Sequence, residues 1–369
     1  MVCGSPPSGT SAGFLREDLS GAGGLKHMAD LFPTLSDDEI EAIGNLLAKP
    51  LAPHLVVALS SCSRGLRRAL EGPLTQLKER RQKVEELCAH VNANGARYRE
   101  YSGPGGGPWS CDVLRDASDL SCSPGYPGPP GRFTQPYTKF TAAHVETLGM
   151  LLTTNGLPQL SWFSLDNQSI GDGGVPLLFG ELGRQALPSL KQLHISHNDI
   201  GNAGAATLAS ALGRGVMPCL QTLGLGQNRI GNQGLIALAK PLRTLPTLAC
   251  LWLDDNQIGD EGAAALVAPG EGVLFPKLCL FTLERNVLTE SGFAQLAVGL
   301  ECGAMPCLVE LTLVEPDTVD LETWVCPPAL QDVYEARPAL RDETGQHVPR
   351  REGDIGRLEA FLAAFVPPA

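Results

Sequence analysis

Between Pro158 and Val314 the chain sets down one pattern of apolar and polar positions six times. Each copy opens Pro-x-Leu: Pro158-Gln-Leu160, Pro188-Ser-Leu190, Pro218-Cys-Leu220, Pro246-Thr-Leu248, Pro276-Lys-Leu278 and Pro306-Cys-Leu308. Successive prolines stand 30, 30, 28, 30 and 30 residues apart, and a fixed period in this range marks stacked repeats. The alternating part of each copy predicts a short strand, because period 2 sends every second side chain to one face. Its inward residues are Phe163 and Leu165, Leu193 and Ile195, Leu223 and Leu225, Leu251 and Leu253, Phe281 and Leu283, and Leu311 and Leu313. An asparagine follows at a constant place, at Asn198, Asn228, Asn256 and Asn286. A buried amide there suits the backbone groups that neighbouring turns leave unpaired. Gln168 and Pro316 hold that place in the first and last copies, so the ladder is expected to fail at both ends.

The second half of each copy changes period and predicts a helix. Asp172, Asn202, Asn232 and Asp260 stand where an N-cap is expected. Gly174, Gly204, Gly234, Gly262 and Gly292 follow at one phase, where a missing side chain lets adjacent helices approach. Alanine-rich stretches such as Ala203 to Leu212 favour helix by propensity. One strand and one helix cannot bury their own apolar face, so the predicted fold is an α/β solenoid stabilised by stacking. Residues 112–156 are expected to hold a zeroth copy. Asp112 to Leu120 leads its strand, Phe140 takes the isoleucine position, and Thr141 caps a helix running to Leu152. The Gly/Pro-rich insertion Ser121 to Pro136 interrupts it.

The flanks do not repeat. Residues 1–30 are Gly/Ser/Pro-rich and read as disordered. Residues 31–101 read as a helical module. In it Ser36 caps a helix with Ile40, Ile43 and Leu47 on its apolar face, and a second helix after Pro53 carries Leu55, Leu59, Cys62, Leu66 and Leu70. A long helix, Leu74 to Tyr101, carries a basic cluster that reads as a solvated face. Residues 102–136 read as Gly/Pro-rich linker and insertion. Residues 316–369 read as a C-terminal cap and tail, with an amphipathic helix over Asp354 to Phe365 that covers the open end.

The six in-phase copies within residues 137–315 resemble the leucine-rich repeat family, in its ribonuclease-inhibitor-like subtype with one helix per repeat. That resemblance implies a horseshoe with a parallel sheet on its concave side and helices on its convex side. It also implies protein binding rather than chemistry. Leu31 to Pro73 resembles an F-box, through Leu35, Ile40, Ile43, Leu47, Leu55, Leu59, Cys62, Arg64 and Arg67. Ser36 stands in place of the usual proline, the loop at Pro50 to Pro53 is long, and the late tryptophan is missing. An F-box implies docking to the adaptor of a cullin-type ubiquitin ligase, which makes a substrate receptor the alternative function. The array is also similar to Ran GTPase-activating proteins, although those carry a strongly acidic tail and this end is mixed in charge.

Net charge narrows the partner. At 369 residues the formal charge of −12 argues against nucleic acid or an anionic membrane as partner, since either needs a basic surface. No apolar run reaches spanning length, and Val2 is not the glycine of an N-myristoyl anchor. Eleven cysteines, an odd count with no Cys-x-x-Cys pair, point to a reducing, cytoplasmic setting. No catalytic signature or zinc motif occurs, so neither an enzyme nor a cofactor is expected.

Candidate binding residues come from the outward strand positions, which form columns. The central one reads Ser164, His194, Gly224, Trp252, Thr282 and Thr312, with Trp162 in the column before it and Asp166 in the column after. Trp252 with Asp254, Asp255 and Glu284 makes an aromatic and acidic patch suited to a partner with a basic surface. Trp162, Asp166 and His194 complete the nominated set. The expected function is a monomeric, non-catalytic scaffold that captures a protein on its concave face.

Overall fold

The computed structural model describes residues 35–50, 52–62, 64–95, 108–122, 138–154, 157–268 and 274–313. The expectations for residues 1–30, the body of the insertion, Leu74's helix beyond Gly95, Pro316 and the C-terminal cap, tail and last helix lie outside these residues. The chain divides into two compact units, Met1–Glu86 and Leu87–Ala369.

The first unit holds helices α1 (Asp37–Leu47), α2 (His54–Cys62) and α3 (Arg64–Ala69), and most of α4 (Glu71–Gly95). The stretch after Pro53 that reads as one helix is thus two. Ser36 starts α1 with a capping box: its hydroxyl accepts from Glu39 N while the Glu39 carboxylate accepts from Ser36 N. Ile40, Ala48, Val56, Leu59, Leu66, Leu70 and Leu77 close one apolar core. Arg80 reaches back and donates to the Ala48 carbonyl at 3.1 Å, satisfying a free carbonyl at the end of α1.

The second unit is a run of alternating strands and helices. After α5 (Cys111–Arg115) come β1 (Asp119–Ser121), α6 (Ala142–Thr153), β2 (Trp162–Ser164), α7 (Gly171–Phe179), β3 (Gln192–His194) and α8 (Asn202–Gly213). They are followed by β4 (Thr222–Gly224), α9 (Asn232–Thr244), β5 (Cys250–Trp252), α10 (Asp260–Val267), β6 (Leu280–Thr282), α11 (Glu290–Glu301) and β7 (Glu310–Thr312). All seven strands pair in parallel and in chain order. The zeroth copy is present: β1 pairs with β2, and Thr141 caps α6 in a box with His144. The register sets Trp162 beside Gln192, Thr222, Cys250, Leu280 and Glu310, and sets Ser164 beside His194, Gly224, Trp252, Thr282 and Thr312. The inward pairs from Phe163 to Leu313 are all buried between sheet and helices.

Two polar ladders tie the copies together. Along the turns, Asn228 accepts from Asn198 N and Ile200 N, both at 3.0 Å, and donates to Ile195 O and Leu225 O. Asn198, Asn256 and Asn286 repeat the arrangement. The residue before each asparagine adopts a left-handed conformation, at His197, Gln227, Asp255 and Arg285, as does Asn167 before Gln168. The ladder does not fail at its first rung. Gln168 is buried, accepts from Phe140 N at 2.9 Å and donates to Cys122 O; its longer side chain spans to the zeroth copy, where asparagine would fall short.

The second ladder corrects the capping expectation. Asp172 is not the N-cap of its own helix; its Oδ1 accepts from Gly201 N and Gly204 N, at 2.7 and 2.8 Å, at the start of the next helix α8. Asn202 serves Gly231 and Gly234 of the following copy, and Asn232 serves Gly259 and Gly262. The N-cap residues Gly201, Gly231 and Gly259 have no side chain to do this themselves. A Cβ at Gly204 would meet Asp172 Oδ1 at 2.7 Å, so the glycine phase makes room for the cap of the preceding copy as well as for helix approach.

Candidate functional site

Strands two apart in a parallel sheet lie about 9.5 Å from each other, yet the rings of His194 on β3 and Trp252 on β5 have centroids 5.2 Å apart. Gly224, between them on β4, makes this possible. A Cβ there would meet His194 Nδ1 at 3.2 Å and Trp252 Cε3 at 3.3 Å, so both rings lean into space that any other residue would fill. Trp162 reaches the same imidazole from β2, diagonally, with centroids 6.1 Å apart. Three residues from three strands therefore form one aromatic row on the face of the sheet turned away from the helices. His194 is the buried centre of the row, while Trp162 is 36% exposed and Trp252 partly so.

Burial drives the His194 pKa down to about 4. The imidazole is therefore neutral at physiological pH, with Nε2 3.4 Å from Gln192 Oε1. At that pH the row is uncharged aromatic surface. His197 lies past the strand on an exposed left-handed turn, and among the described residues no group of His, Cys, Asp or Glu is placed to hold a metal ion.

The nominated acids take separate roles. Asp166 is engaged within the fold: Oδ1 accepts from Ser196 N at 2.7 Å and Oδ2 from Ser164 Oγ at 3.0 Å. Asp255 pairs with Arg285 at 3.7 Å on the surface, and Glu284 stands partly buried in Asp254's column. Asp254 leans over Gly226, where a Cβ would meet its Oδ2 at 2.7 Å, and its Oδ1 accepts from Thr282 Oγ1 at 3.0 Å. Burial raises the Asp254 carboxyl above its ordinary range, and the Thr282 bond only partly offsets this. The structure thus joins Trp162, His194 and Trp252 in one row, sets Asp254 two residues along from Trp252 over Gly226, and engages Asp166 and Asp255 in bonds of their own. Sequence reasoning missed Gly224 and Gly226 as site residues. Their signal was present: two glycines in the outward columns of one copy, with His194 and Trp252 on either side of the first.

Among the described residues no helix is long and apolar enough to cross a membrane. A family profile described as Leucine Rich repeat matches residues 186–209, 216–239 and 244–267. The matched stretches carry leucine-rich repeats, and the fold is an α/β solenoid of such repeats. No curated protein matches the chain. Similar solved structures include the Leiomodin-1 Actin-Binding Site 2, at 17% identity and a TM-score of 0.33, over 48% of this chain and 91% of that one. The TLR13–ssRNA13 complex matches at 17% identity and a TM-score of 0.32, over 56% of this chain and 23% of that one.

Proposed function

We propose that the protein is a cytoplasmic, non-catalytic scaffold that captures a partner protein on the open, concave face of its repeat sheet, around Trp252. The observation that carries this reading is the aromatic row of Trp162, His194 and Trp252. It sets rigid apolar area in a solvent-facing position, which suits an interface anchor. Repeat steps of 28 to 30 residues, one helix per repeat and the asparagine ladder support the ribonuclease-inhibitor-like subtype. The net charge of −12 favours a partner with a basic patch. Affinity capture with the full chain tests the reading. Trp252→Ala combined with Asp254→Lys is expected to lose the captured protein while keeping its thermal transition; unchanged capture moves the site off this face.

A second reading, a substrate receptor of a cullin-type ubiquitin ligase, is favoured by the independent core of the N-terminal helices. Co-purification of a cullin adaptor, lost on deleting Leu31 to Pro73, supports it; absence of the adaptor from the intact protein's complexes removes it.

A further inference from the structure

Trp252 and Asp254 alternate along one chain segment, so their side chains rise from the same face about 7 Å apart. Both lean the same way, toward Gly224 and Gly226, which offer no side chain to hold them off. An indole and a carboxylate thus lie side by side over the neighbouring copy. The carboxylate is only half satisfied: Oδ1 accepts from Thr282, and no donor from another described residue reaches Oδ2. A partly buried carboxylate bonded by one neighbouring hydroxyl and its own backbone amide still favours a cationic donor. No lysine or arginine occupies any of the three outward columns from Trp162 to Glu284, and Arg285 offsets the burial of Asp254 only as the last of several causes. Arg285, at the next position along, is turned to Asp255.

We infer that this corner takes one arginine side chain of the partner, its guanidinium stacked on the Trp252 indole and donating to Asp254 Oδ2. The inference rests on the open-face reading above and names the chemistry of its anchor. Arginine fits better than lysine because a flat guanidinium stacks on an aromatic face and presents its donors as a fork at the ring's edge. A lysine ammonium is a compact point charge that makes one of these contacts well and the other poorly. His194, neutral beside the indole, adds ring area without repelling the cation.

The test uses N-acetyl-arginine amide titrated into the 15N-labelled full chain, reading the indole N–H resonances assigned with Trp162→Phe and Trp252→Phe variants. The Trp252 resonance is expected to shift saturably, with a midpoint on the order of millimolar for so small a ligand. N-acetyl-lysine amide should need several-fold more, and N-acetyl-norleucine amide should leave the resonance in place. Asp254→Asn, nearly isosteric, is expected to abolish the arginine response while the unliganded indole resonances hold their positions, which shows that the fold survives. No shift with arginine, an equal shift with norleucine, or a full response in Asp254→Asn overturns the inference. If the protein partner is lost in Trp252→Ala yet arginine gives no response, the arginine assignment fails and the open-face reading stands. If arginine binds but the double variant still captures the partner, the open-face reading fails, and the corner remains a guanidinium site that this partner does not use.

Discussion

His194 sits as a neutral imidazole between two indoles, and that burial leaves a pH signature. Its pKa is about 4 in the folded chain, against about 6.5 for a histidine in the unfolded chain. Between those values the unfolded state binds the proton more readily, so this residue makes stability fall as pH drops from about 6.5 to about 4. Asp254, whose pKa is raised, acts in the opposite sense, so the His194 contribution is read by difference. Urea unfolding of wild type and His194→Phe at pH 7 and at pH 4.5 should show wild type losing up to about 3 kcal/mol more than the variant on acidification. Asn228 tests the ladder at the same scale. Asn228→Ala takes a partner from two backbone amides and three carbonyls at once, and a cost of about 3 kcal/mol or more is expected in urea unfolding. The two residues were legible to different degrees. Asn228 announces itself by recurring at a fixed phase. His194 and the tryptophans were visible as outward residues, but their contact depends on Gly224, a residue that acts through the side chain it lacks.

The helices α8, α9 and α10 are capped from the preceding copy, and this is where local sequence reasoning went one copy astray. N-cap preferences describe a side chain bonding the amides two or three residues ahead. Stacking makes a residue 29 positions ahead an equally close neighbour, and glycine at the N-caps of α8, α9 and α10 leaves the role open. Asp172→Ala should therefore speed hydrogen exchange at Gly201 and Gly204, in the following copy, and cost about 1 kcal/mol. Exchange rising instead at the first turn of its own α7 would show the cap to be local after all. Asp260 extends the rule with a charge. Bonds from the Thr289 hydroxyl and amide hold its carboxyl below the ordinary range. That stabilisation is full above the unfolded carboxylate pKa of about 4 and is lost as pH falls through the lower folded value. Asp260→Asn should keep most of the cap and lose this pH dependence, because Asn202 and Asn232 fill the same role in sister copies.

Across the whole molecule, repetition made the solenoid readable. Six copies at one phase fix the strand, the turn and the helix together, since a single copy could not bury its apolar face alone. The identity of the partner is written in the letters that do not repeat, and those become a surface only once strand register and side-chain lean are known. Charge adds a property that no single copy holds. A net −12 spread over the chain attracts a basic protein from a distance, and ions screen that attraction within about 8 Å at physiological salt. Contacts at Trp252 act at short range and are screened little. Partner association followed from 50 to 500 mM NaCl should therefore slow on the order of tenfold, chiefly in the on-rate. Trp252→Ala should raise the off-rate and leave that salt slope unchanged, whereas Asp254→Asn should raise the off-rate and also flatten the slope. A salt slope altered by the tryptophan and not by the aspartate would place the electrostatic contact elsewhere on the molecule.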